Sequence, residues 1–170
     1  MDMSKMFNPT RTIYWPAEFS DIANILKGKD AFDKSTHPAM YEYNTGVLIL
    51  AAVIGLANKR EREVGPQRLE ISTDTFDKQD YDKGVKLSTF IYLIALLAKQ
   101  DLNFLRSENE EEVIRIFERY AAGGLEYLRG ALSESSDTSG QSVLNSEVVK
   151  ALKIIDLGED AGTVNIFATS

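Results

Sequence analysis

The side chains able to do chemistry are few in this chain, and their spacing narrows them further. The single histidine, His37, stands before Pro38 in a predicted loop with no Cys or His partner at metal-binding spacing, so it reads as a surface residue. Asp74, Asp77, Asp80 and Asp82 crowd one polar stretch, and several carboxylate oxygens together are what a hard divalent cation requires. Their order relative to Gly84 does not follow the calcium-loop pattern, which leaves a solvated acidic loop running into a helix as the expectation. Glu110, Glu111 and Glu112 point in different directions on a helix, so they do not form a carboxylate pair over one substrate; at a helix start they complement the positive end of the dipole. Gly123, Gly124 and Gly130 follow no strand and match neither phosphate-cradling glycine pattern. No catalytic residue, metal ligand or cofactor set is therefore expected.

Lys59, Arg60, Arg62 and Arg68 form the one dense basic segment, a candidate for phosphates or an acidic partner surface, although Glu61 and Glu63 dilute it. Its position at a helix C-terminus is also accounted for by the dipole. Over the whole chain 19 Lys and Arg face 26 Asp and Glu, a net charge of −7, so any contact with nucleic acid has to be local. The 170 residues, 44% of them hydrophobic, suffice for one domain with a real core. The absence of cysteine excludes disulfides, thiolate metal sites and cysteine nucleophiles. Met1 to Pro9 lacks the pattern of a secretory signal, and the apolar runs Gly46 to Ala57 and Leu87 to Ala98 fall short of the ~20 residues that span a bilayer. A cytoplasmic protein with no membrane contact is expected.

These residues need elements to hold them. Residues 1 to 10 read as a mobile lead-in, Arg11 to Trp15 as an extended piece, and Pro16 as the first position of a short helix ending near Gly28. The uniformly apolar stretch to Ala57 predicts a buried helix, Arg68 to Ser72 a short strand, and Lys83 to Lys99 a second buried helix. Ser107 with Glu110 has capping-box spacing, opening a helix to about Leu132 with Val113, Ile116, Phe117, Tyr120, Leu125 and Leu128 inward. Gly123-Gly124 inside it implies a bend or a close helix approach, at ~1 kcal/mol per glycine relative to Ala. Residues 133 to 145 read as a flexible Ser/Gly linker, and residues 146 to 170 as a tail whose short amphipathic helix puts Val148, Val149, Leu152 and Ile155 on one side; Thr163 to Phe167 reads as a further strand. The whole is mainly α: a compact helical domain over 11 to 132, about four to five helices with minor short strands.

One domain surrounds a single apolar helix more easily than two, so part of Val47 to Leu56 or of Phe90 to Leu97 is a candidate to cover a partner. The order of pieces is itself distinctive. It runs from an Arg-bearing lead into Pro16-Ala-Glu-Phe19, through Leu50-Ala-Ala-Val-Ile-Gly-Leu56 followed by Lys/Arg and an Arg-Leu-Glu-Ile piece. Thr89-Phe-Ile-Tyr-Leu-Ile-Ala-Leu-Leu97 comes next, then Ile114-Arg-Ile-Phe-Glu-Arg-Tyr-Ala-Ala-Gly-Gly-Leu-Glu-Tyr-Leu128. Over residues 11 to 132 this resembles the DNA phosphorothioation-associated protein 4 family, found with bacterial systems that modify or restrict DNA in defence against phage. The resemblance implies a non-catalytic accessory subunit without cofactor, binding a larger NTPase or nuclease component and meeting DNA through the complex. Val148, Val149, Leu152 and Ile155 are the candidate docking residues. The alternatives are a DNA-binding or regulatory module using Lys59, Arg60, Arg62 and Arg68, with homo-oligomerisation, and an enzyme using the Asp74 to Asp82 carboxylates with a divalent cation.

Overall fold

The computed structural model describes residues 5–28, 40–136 and 139–160, with the backbone alone for 151–160. His37, the connection around it and the strand expected at Thr163 to Phe167 lie outside the described residues. β1 (Thr12–Pro16) pairs antiparallel with β2 (Arg68–Ser72), Thr12 opposite Ser72 and Pro16 opposite Arg68. Pro16 thus ends a strand, and its fixed φ leads into a 3-10 turn, Ala17–Phe19, which opens α1 (Ser20–Leu26). α2 (Asn44–Ala57), α4 (Ser88–Lys99) and α5 (Glu110–Glu134) form the body of the mainly α fold, with α5 as the central helix against which α2, α4 and β1 pack. The core between them contains Trp15, Phe19, Leu48, Phe76, Ile91 and Phe117, with Phe76 edge-on to Phe117 at 6.1 Å.

α2 and α5 approach backbone to backbone because their facing residues are small. A Cβ on Gly124 would lie 1.7 Å from the Ala51 carbonyl oxygen, and one on Gly55 would lie 2.2 Å from that of Tyr120. Of the two explanations for the glycine pair, close approach is the one observed. Gly123 serves the chain leaving α2, since a Cβ there would meet the Arg60 carbonyl oxygen at 2.2 Å. The same segment is fastened by the Arg62 N–H donating to the Arg119 carbonyl at 3.0 Å.

Several local readings are corrected. The acidic stretch after Ser72 is not a solvated loop: the Ser72 hydroxyl caps α3 (Thr73–Asp77), which buries Phe76 and Asp77. β3 (Asp80–Asp82) and β4 (Val85–Lys86) then form a small hairpin, turned by Lys83 and Gly84 at φ 42° and 85°, so α4 begins at Ser88 and not at Lys83. The capping box does not form. A 3-10 turn, Ser107–Asn109, precedes α5, and Glu110 turns inward to 4% exposure, with Arg11 Nε 3.4 Å from its carboxylate.

The lead-in also differs from its reading over residues 5 to 10. Phe7 is fully buried and stacks on Tyr92 at 4.9 Å, the Met6 N–H donates to Asp77 at 3.2 Å, and Thr10 donates to Asp74 at 2.8 Å. At the other end α6 (Gln141–Asp160) starts earlier than Ser146 and seats Val143 in the core, while Tyr127 donates to Glu147 at 3.0 Å. Residues 141 to 145, read as linker, are helix.

The glycines yield a paired prediction. Gly124→Ala forces the α2 and α5 backbones apart and lowers unfolding stability by about 3 kcal/mol. Gly130→Ala, on the same helix but with open space around the new Cβ, raises it by about 0.5–1 kcal/mol through helix propensity. Urea denaturation of the two variants measures both.

Candidate functional site

α2 contains no charged residue and α4 only Lys99, yet neither is surrounded. Each buries one face against α5 and the two touch side by side. The remaining faces expose Val53 on α2 and Leu93 and Leu97 on α4, the last at 64%. The 3-10 turn that follows α4, Leu102–Leu105, adds Leu102 at 76% and Leu105. The sequence expectation that part of these two runs covers something other than their own core therefore falls on Val53, Leu93 and Leu97. Isolated exposed apolar side chains are ordinary, whereas leucines concentrated on one helix, whose single charge is Lys99, and on its following turn form a candidate contact surface.

The basic segment is dispersed by the fold. Lys59 is exposed at the end of α2, and Arg60 lines a cleft of about 430 Å³ beside Gly123, Tyr127, Gly130 and Lys150. Arg62 is drawn between Glu18 and Glu126, 3.0 Å from the latter, with its guanidinium 5.0 Å from the Phe19 ring. Arg68 is carried away on β2. Arg60 and Arg68 thus line different grooves, and Arg62 is spent on two carboxylates. On α6, Val148 and Val149 are exposed; the side chains of Leu152 and Ile155 lie outside the description.

Two of the four aspartates, Asp74 and Asp77, are engaged in holding the fold. Asp74 is paired with Lys5 at 2.9 Å, and the hydrogen bonds from Lys5 and Thr10 hold its carboxyl below the usual range. Asp77 is buried and accepts from the Ser88 hydroxyl as well as from Met6. Asp80 and Asp82 stay exposed on β3. Among the described residues no cluster of three His, Asp or Glu side chains is placed to hold a metal ion. Burial, followed by the charges of Glu110 and Asp77, pushes the Tyr92 hydroxyl up to about 12, so it stays protonated at any ordinary pH.

A groove that sequence reasoning missed runs between β1 and α5, with a volume of about 310 Å³. β1 and the residue before it contribute Tyr14 and Arg11, β2 contributes Arg68, and one face of α5 contributes Glu111, Arg115 and Glu118, at helical spacings of four and three. The Arg68 guanidinium lies 3.9 Å from the centre of the Tyr14 ring. Glu118 accepts the Tyr14 N–H at 2.6 Å. Burial raises its pKa, and the Tyr14 N–H together with Arg68 and Arg115 offset this only in part. The Glu111 and Arg115 pair was legible from their spacing; Arg11 and Arg68 come together only through the β1–β2 pairing.

The sequence profile of a family described as DNA sulphur modification system-associated protein 4 matches residues 18–153, which takes in the chain from the 3-10 turn after β1 to the described part of α6. No curated protein and no solved structure matches the chain.

Glu118 gives this region a pH signature. A carboxyl whose pKa is higher in the folded than in the unfolded state favours folding below its unfolded value, and that contribution is lost as the pH rises through the folded value. Glu118→Gln keeps an acceptor for the Tyr14 N–H without the half-buried charge. It is expected to raise the melting temperature at pH 7 and above, with the gain vanishing below the ordinary glutamate range near 4.5; a pH series of thermal melts reads this directly.

Proposed function

The chain belongs to the DNA sulphur modification system-associated protein 4 family, and from that membership we propose that it is a non-catalytic accessory subunit that docks on a larger NTPase or nuclease component. The observation that carries the reading is the apolar outer face of α4 and the turn after it, where Leu93, Leu97, Leu102 and Leu105 stand in solvent. A subunit that works by contact needs such a surface, because apolar area withdrawn from water drives association at roughly 25 cal/mol per Å² before the costs of ordering. Val53 on α2 extends the contact, and Val148 and Val149 on α6 form its second part, with Leu152 and Ile155 continuing the same helix. No helix of the described residues is long and apolar enough to cross a membrane, and the proposed place of work is the cytoplasm, where the DNA is modified.

The family description places the chain with a DNA sulphur modification system. The basic segment is a poor rival as a single DNA-reading patch, since Arg62 is held by two carboxylates and Arg68 lines a different groove from Arg60. DNA is reached through the larger component in this reading.

The test is nuclease-treated affinity purification of the tagged chain expressed with its neighbouring genes. The double variant Leu93→Asp/Leu97→Asp is expected to keep its thermal melt and to lose a stoichiometric large partner, and Val149→Asp to weaken recovery in the same sense. Recovery of the partner unchanged with both variants, or of the wild-type chain alone, overturns the accessory reading.

A further inference from the structure

The three guanidiniums of the groove between β1 and α5 are in different states. Arg11 is tied to buried Glu110. Arg115 meets Glu111 at 3.6 Å with both side chains well exposed, an ion pair that contributes little and exchanges readily. Arg68 is in no ion pair among the described residues; it rests by its face on Tyr14. A guanidinium stacked in this way keeps its in-plane N–H donors, and the stack has already removed much of the rotamer freedom that ligand binding would cost.

We propose that this groove binds a phosphate group, with Arg68 and Arg115 as the donors, while Arg11, neutralised by Glu110, lines its end. The planar fork of arginine matches two oxygens of a tetrahedral oxyanion, and the incoming phosphate displaces only the weak Glu111 contact from Arg115. A volume of about 310 Å³ has room for a phosphate with an attached sugar. The net charge of −7 works against a long polyanion track, so the recognition is of one or two phosphates. Glu111 and Glu118 are the opposing charges in the groove, and they make the site weaker than its arginines alone would be. A nucleic-acid backbone and a free phosphate or mononucleotide share this chemistry. The groove shares no residue with the α2 and α4 face, so the partner contact and the phosphate site stand or fall separately.

The full chain is titrated with inorganic phosphate, a mononucleotide and a short DNA duplex while the arginine side-chain Nε–H resonances are followed by NMR. Saturable shifts of Arg68 and Arg115 are expected. Arg68→Ala and Arg115→Gln should each weaken binding about tenfold or more, as loss of a charged hydrogen bond implies, and Glu118→Gln should strengthen it. Arg68→Lys, which keeps the charge and loses the fork and the stack, should weaken binding almost as much as Arg68→Ala. Both arginines are exposed or line an open groove, and unchanged backbone amide spectra verify that the variants fold. Saturation by the duplex alone assigns the phosphate to nucleic acid, and saturation by all three probes assigns it to a small ligand; either supports the site. Absence of any shift at Arg68 and Arg115 with all three probes overturns it, as does binding that survives both substitutions.

Discussion

The contact on which the rest depends is one without side chains. Where Gly55 and Gly124 cross, the backbones of α2 and α5 meet, and any Cβ at either position would overlap a carbonyl of the other helix. That depth of approach lets the chain leaving α2 lie across α5 at Gly123, where Arg62 is fastened to the Arg119 carbonyl. From this fixed point a short run of residues delivers β2 to the edge of β1, and β1 to the flank of α5. The position of Arg68 over Tyr14 is thus set at some remove by the absence of a methyl group in the helix crossing.

Much of the element content was legible because it follows from local pattern. Uniform apolarity marks α2 and α4, alternation marks β2, and the inward stripe of α5 is buried at Val113, Ile116, Phe117, Leu125 and Leu128 as its spacing requires. What was not legible depends on partners distant in sequence. Phe7 stands among polar neighbours and gives no periodic signal, yet it is buried because Tyr92 offers a ring to stack on. Glu110 has the spacing of a cap and forgoes it for Arg11, which reaches it from the other end of the chain. The hairpin at β3 and β4 has too few apolar residues to announce strands; two consecutive residues at positive φ make it.

The same distinction governs the candidate surfaces. Periodicity shows that α4 is apolar and cannot show which of its sides finds a neighbour, because that is decided by where α5 lies. A run of cations in sequence is not a cationic patch in space, since Glu18 and Glu126 claim Arg62 while Arg68 rests on Tyr14 in the β1–α5 groove. The β1–α5 groove is the converse case, in which residues from three distant segments meet and no single segment carries a motif.

The arrangement of β1 has a bearing on how the chain reaches its fold. β1 leaves the ribosome before everything that holds it: its partner β2 is encoded more than fifty residues later, and the Glu118 that receives the Tyr14 N–H lies 104 residues away. Trp15 and Ile13, both in the core, therefore remain without their native cover until α5 has been made. β1 can meet β2 once residue 72 has been made, but the face it turns to the core is closed only by α5, so its two sides are completed at different points along the chain. The strand made first is the lid on a core built after it.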